Sequence, residues 1–188
     1  MKRISLFLLL LLIFSLFLCG CEGGFGSKYV KDPLEYGKWE SYLETPVYLP
    51  ESISEYGVNS YSYTLLAYMD ICYEIFLDVS LSEEELLEIL SEARADERFL
   101  CEREAYYADG YFEIIFEDHY EIWGGDGEAR KNVGTADVEK IVYDPKTHNA
   151  VFVCFHANDT GVYYLDELEY FKRFSIDEEE YVLNLYKG

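Results

Sequence analysis

Met69-Asp70-Ile71-Cys72-Tyr73-Glu74-Ile75-Phe76-Leu77-Asp78-Val79-Ser80 runs directly into Leu81-Ser82-Glu83-Glu84-Glu85-Leu86-Leu87-Glu88-Ile89-Leu90. In the first half, Met69, Ile71, Tyr73, Ile75, Leu77 and Val79 alternate with Asp70, Cys72, Glu74, Phe76, Asp78 and Ser80. A period of two predicts a strand with one buried face, and it places Cys72 on the mainly polar face. The second half changes period. Ser82 followed three residues on by Glu85 has the form of a capping box, and Leu81 with Leu86 occupies the staple positions around it. Glu83, Glu84 and Glu85 sit where the helix dipole favours negative charge. Leu86, Leu87, Leu90 and Ala93 supply the apolar stripe of a helix.

Further strands flank this unit. Val47-Tyr48-Leu49 reads as a short strand entering a turn at Pro50-Glu51-Ser52, and 58–67 alternates weakly. After Gly110, Phe112, Ile114, Phe116, Tyr120 and Ile122 share one parity, with Glu113, Glu117, His119 and Glu121 on the other. Ile115 and Trp123 interrupt the polar parity, so that face is expected to be partly covered. Gly124-Gly125-Asp126-Gly127 reads as a turn. The segments 138–143 and 150–156 predict a hairpin around Asp144-Pro145-Lys146-Thr147-His148-Asn149. The tail reads as helical. Leu165, Leu168 and Phe171 fall near one face of 164–174; Asp177 with Glu180 repeats the capping box, and Val182, Leu185 and Tyr186 form a second stripe. The expectation is an α+β fold: a mostly antiparallel sheet, one helix after the second or third strand, and one or two C-terminal helices, all packed on one face. A single domain is placed at 46–188. Before it, 21–45 reads as a Gly-rich tether (Gly23, Gly24, Gly26) and an arm.

The first residues are of a different kind. Lys2 and Arg3 precede an uncharged apolar run of 15 residues, Ile4 to Leu18, which ends in Leu18-Cys19-Gly20-Cys21. A positive start, an apolar core and a small-residue exit are the parts of an export signal. The run is short of the roughly 20 residues that a spanning helix needs. This segment resembles a bacterial lipoprotein signal peptide with its lipobox. Bulky Leu18 makes Cys19 a poor cleavage position, whereas Gly20 precedes Cys21. The resemblance implies a signal peptide at 1–20 and lipid attachment at Cys21, which places the protein on the extracytoplasmic face of the cell membrane. An uncleaved anchor and a plain secretory signal are the alternatives. In general style the body also resembles small lipoproteins of Gram-positive bacteria.

The whole chain of 188 residues carries a formal charge of −22. Without Lys2 and Arg3 the balance is 13 Lys+Arg against 37 Asp+Glu, or −24. Such a charge repels nucleic acid and anionic headgroups, so no nucleic-acid partner is expected and the body is expected to stand off the bilayer. The 19 Tyr, 12 Phe and 2 Trp argue against disorder and suit sheet packing. Cys72, Cys101 and Cys154 lack metal-ligand spacing and read as small apolar residues, with one disulfide and one thiol left over as the alternative in an oxidising compartment.

The chemistry-bearing candidates are few. His156 follows Cys154 by two, so both project from one face of a strand, as a thiol nucleophile and its base would. His119 lies among Glu117, Asp118 and Glu121, and His148 falls in the hairpin loop. Asp118, His119, Glu121, Asp126 and Glu128 form a weak candidate set for a hard cation, without the spacing of a calcium loop. The glycine turn at 124–127 lacks the Lys-Ser/Thr of a phosphate-binding loop, and no cofactor is called for. The reading is a non-catalytic, lipid-anchored binding domain with a protein or envelope partner. The alternatives are a small extracytoplasmic hydrolase using His119 or His156 with nearby carboxylates, and a structural envelope component.

Overall fold

In a computed structural model, which describes residues 26–41, 48–67, 71–123, 132–158, 168–177 and 181, seven strands form one antiparallel sheet. The strands are β1 (Gly26–Val30), β2 (Gly57–Ala67), β3 (Ile71–Ser80), β4 (Cys101–Glu104), β5 (Phe112–Trp123), β6 (Asn132–Asp144) and β7 (Asn149–Asn158). Helix α1 (Glu83–Ala95) follows β3, and the short helix α2 (Glu169–Phe174) follows β7. The order across the sheet is β1-β2-β3-β7-β6-β5-β4. The chain therefore lays down β1 to β3 as neighbours and crosses to the far edge through α1. It then returns as β4 to β7, until β7 pairs with β3.

Local chemistry explains the long elements. Ser82 Oγ accepts the Glu85 N–H at 3.2 Å, and the Glu85 carboxylate accepts the Ser82 N–H at 2.6 Å, so the predicted capping box starts α1. Arg94, in its last turn, holds Glu102 of β4 by two hydrogen bonds of 2.7 and 2.8 Å. In the β6–β7 hairpin the Asp144 carboxylate accepts from Lys146 N and Thr147 Oγ1, and His148 takes a left-handed φ of 59° to close the turn.

The alternation along β3 sorts the core into two layers. Ile75, Leu77 and Val79 join Tyr61, Tyr63, Ile114, Ile141 and Phe152 beneath Leu86, Ile89, Leu90 and Ala93 of α1. Phe76, from the other parity, joins Val138, Val142, Val151, Val153 and Phe155 beneath Tyr170, Phe171 and Tyr181. The two helices thus cover opposite faces rather than one, and the polar parity of β3 is buried: Cys72, Glu74 and Asp78 all lie inside. The reason is that the segment around α2 brings donors for those carboxylates, so acidic residues can sit under an apolar layer.

Three further differences have local causes. β1 comes from the stretch read as tether and arm; Val30 and Trp39 are buried in the α1-side core, with a 3₁₀ turn at Pro33–Glu35 between them and Trp39 itself inside a second at Lys38–Ser41. β4 has only four residues and no alternation to reveal it. In β5 the register against β6 slips between Ile115 and Glu117, a bulge that leaves Phe116 as the extra residue. Beyond it the parity read from sequence is inverted. Of the expectations, the 1–20 signal, Cys21, the glycine turn at 124–127, Asp126, Glu128 and the stripe at 182–186 lie outside the described residues.

Candidate functional site

On the α1 face, cross-strand register sets four side chains in a row: Tyr73 opposite His156, His156 opposite Asp137, and Asp137 opposite His119. The two histidines stand on either side of Asp137, on strands about 10 Å apart. His156 Nδ1 is hydrogen-bonded to Asp137 Oδ1. The Tyr73 ring stacks 6.0 Å from the imidazole, centroid to centroid. Glu117, one step further along β5, is raised above its usual pKa by burial and by Asp137, while His156 and His119 draw it back. A carboxylate held on Nδ1 orients an imidazole as a general base would be oriented.

The thiol beside this pair is poorly suited to attack. Cys154 Sγ approaches the Tyr73 hydroxyl at 3.9 Å, and burial first, then Glu139, push the thiol far up. Reactive cysteines need the opposite environment, one that favours the thiolate. Glu139 is itself buried and raised by burial, although Tyr48 N and Arg98 donate to it, with Arg98 Nη1 at 2.9 Å.

The bulge at Phe116 builds a second constellation on the α2 face. It turns Asp118 to the same side as Glu113, where Lys140 lies fully buried between them: Nζ is 2.6 Å from Asp118 Oδ2 and 3.3 Å from Glu113 Oε2. Arg103 Nε donates to Glu113 Oε1 at 2.6 Å, and Tyr107 donates to Oε2 at 2.5 Å. Tyr170 donates to the Tyr107 oxygen at 2.6 Å, and the Tyr181 hydroxyl bonds both Lys140 and Asp118. Two cations face two carboxylates, so the set is neutral. Burial pushes Glu113 up, but Lys140, Tyr107 and Arg103 outweigh it and hold the carboxyl below its usual range. Asp118 stays raised, because its burial outweighs Lys140.

Asp118 and His119 therefore project from opposite faces and cannot share a cation. Glu121 sits on β5 opposite Thr135, beyond them. Among the described residues no group of three or more His, Cys, Asp or Glu is placed to hold a metal ion. A pocket of about 370 Å³ is lined by Pro33, Leu34, Tyr36, Glu51, Ser52, Ile53, Ser54 and Val58, and no histidine lines it.

The chain matches no protein-family model, no curated protein and no solved structure. No described helix is long and apolar enough to cross a membrane.

Sequence reading placed Cys154 and His156 on one strand face, and they are there. It missed Asp137, Lys140 and Arg103. Asp137 was detectable in principle, since hairpin pairing around 144–149 sets it opposite His156. Lys140 carried one available signal: its nearest neighbours of the same parity, Val138 and Val142, are both apolar.

Proposed function

We propose that this protein is a lipid-anchored, extracytoplasmic binding domain without catalytic activity. The observation that carries the reading is the lipobox-like ending Leu18-Cys19-Gly20-Cys21 after a positively charged, apolar leader. Acyl chains on Cys21 hold the protein at the outer face of the membrane, each buried CH₂ contributing about 0.8 kcal/mol. A partner at the envelope, rather than a substrate, suits a body whose buried ionisable groups are largely spent within the fold: Lys140 on Asp118 and Glu113, Arg98 on Asp96 and Glu139, Arg173 on Asp78. Metabolic labelling with a fatty-acid analogue tests the anchor. Cys21→Ala is expected to lose the label and leave a larger, unprocessed form; persistent label refutes the assignment. Capture of partners from membranes, with Cys21→Ala as control, then addresses binding.

A second reading, a small hydrolase, is favoured by the Asp137–His156 pair. Its nucleophile would be an activated water rather than the deeply buried Cys154 thiol. Hydrolysis of activated esters that is abolished by both His156→Ala and Asp137→Asn would establish it, and hydrolysis unchanged by either would dismiss it.

A further inference from the structure

Leu34 is the most exposed large apolar side chain among the described residues, with 93 % of its surface open. It is not on a loose loop. Asp32 caps the turn by accepting the Leu34 N–H at 2.9 Å, Pro33 fixes the first position, and Tyr36 anchors the exit by donating to Pro50 O at 2.7 Å. A rigid turn that holds a leucine out in water loses apolar burial and gains nothing from folding. Tyr29, half exposed, lies on the same outer edge in β1.

The charge distribution singles out the same edge. Residues 26–41 carry Lys28, Lys31 and Lys38 against Asp32, Glu35 and Glu40, which is neutral. Residues 42–188 carry 10 Lys+Arg against 33 Asp+Glu, or −23. The other exposed leucines lie in acidic surroundings: Leu87 beside Glu83, Glu84 and Glu88, and Leu100 near Glu102 and Glu104. Of these three leucines only Leu34 combines this exposure with a capped turn in a segment whose own charges balance, although Glu51 lines the same pocket and Glu169 bonds Tyr29 and Lys31.

We infer that the β1 edge and its 3₁₀ turn form a bilayer-contact surface, with Leu34 entering the lipid interface. The inference rests on lipid attachment at Cys21. Gly26, the start of β1, is five residues beyond Cys21, so the chain between them spans at most about 18 Å. That length keeps the β1 side of the sheet close to the headgroup region, whereas the far edge at β4 lies six strand spacings, about 29 Å, away. Repulsion from an anionic leaflet decays within a Debye length, about 8 Å at physiological salt. Turning the neutral edge inward keeps the acidic body outside that layer. Tyr29 suits the interface because its ring is apolar and its hydroxyl polar. Lys31, 3.3 Å from Glu169, and Lys38, 2.8 Å from Glu35, are both exposed, and near a bilayer they can exchange these carboxylates for phosphates along their apolar stems. The body as a whole is repelled by the membrane, as its charge predicts, while this one edge rests on it.

The test uses the full chain with Cys101→Ser, which removes the exposed native thiol, and a single added cysteine at Leu34→Cys or Leu87→Cys carrying an environment-sensitive fluorophore. The lipidated proteins are reconstituted into phosphatidylcholine–phosphatidylglycerol vesicles with or without doxyl-labelled chains. Position 34 is expected to be blue-shifted and quenched by doxyl lipid, and position 87 unquenched. Absent quenching at 34, or equal quenching at both, with the Cys21-dependent fatty-acid label intact, overturns the contact surface and leaves the anchor standing. Loss of that label in the unmutated chain overturns both.

Discussion

Glu74 accepts the backbone N–H of Tyr170 at 3.1 Å, from a side chain almost wholly buried in β3. It accepts the Glu169 N–H at the same distance, so one carboxyl group seats the first turn of α2 on the sheet. Arg173, one turn on, bonds Asp78 of the same strand parity at 2.7 Å. The acidic parity of β3 is thus the docking rail for the C-terminal layer.

That position makes Glu74 a pH-dependent group. Burial raises its pKa from 4.5 to about 7, against the lowering effect of the two N–H donors. The native state therefore holds a proton that the unfolded chain releases between these values. Its contribution to stability is fully present below pH 4.5 and is lost as pH rises through 7. The size is on the order of 3 kcal/mol at most. Glu74→Gln is expected to remove this slope, so that the difference in denaturant-derived stability between variant and parent grows in the variant's favour from pH 4.5 to 8. An unchanged difference across that range would show that Glu74 titrates normally.

Lys140 is the pivot of the other buried layer. Removing it leaves Asp118 and Glu113 facing each other with only Arg103 for compensation. Lys140→Met is expected to cost about 3–5 kcal/mol, because an uncompensated buried charge remains. Adding Asp118→Asn should restore part of that loss, although Asp118→Asn alone destabilises. Urea midpoints of the two single variants and the double variant measure the coupling, and strict additivity would show that the ion pair contributes nothing.

Much of this architecture was legible because local signals agreed with tertiary packing. β3, α1 and the β6–β7 hairpin each combine a clear period with a cap or turn. What was not legible depended on partners distant in sequence. Glu74 and Asp78 read as solvent-facing until the 169–173 segment supplies their donors. The parity of β5 is faithful up to Ile115 and fails after Phe116, since a bulge leaves no mark in an apolar–polar pattern. Of the candidate site, His156 was visible on its own strand, whereas its orienting Asp137 emerges only once the two hairpin strands are set in register, because pairing is a property of two strands.

The capping box offers a check on the legible part. Ser82 and Glu85 satisfy each other's backbone N–H groups, and Leu81 and Leu86 are both buried against the core beside them. Ser82→Ala is expected to cost ~1 kcal/mol through the lost cap. The helix should persist, because Leu86, Ile89, Leu90 and Ala93 still bury its inner face. A denaturant midpoint equal to the parent's would show that the cap is not coupled to global stability.

The cysteines separate burial from sequence pattern most simply. Cys72 and Cys154 lie inside the sheet, one on each face, while Cys101 lies exposed on the edge strand β4. None of the three has a neighbouring cysteine to mark it in sequence, yet only Cys101 meets solvent. Maleimide should therefore modify Cys101 at least about tenfold faster than the other two, whose reaction waits for opening of the sheet. Peptide mapping after a short pulse resolves the three sites. The Cys154 thiol is pushed up by burial and by Glu139, so raising the pH from 7 to 9 should leave Cys154 protected. Rapid modification of Cys154 in the native protein would mean that the Tyr73–His156 end of the sheet opens readily, which would return the thiol to the list of candidate nucleophiles.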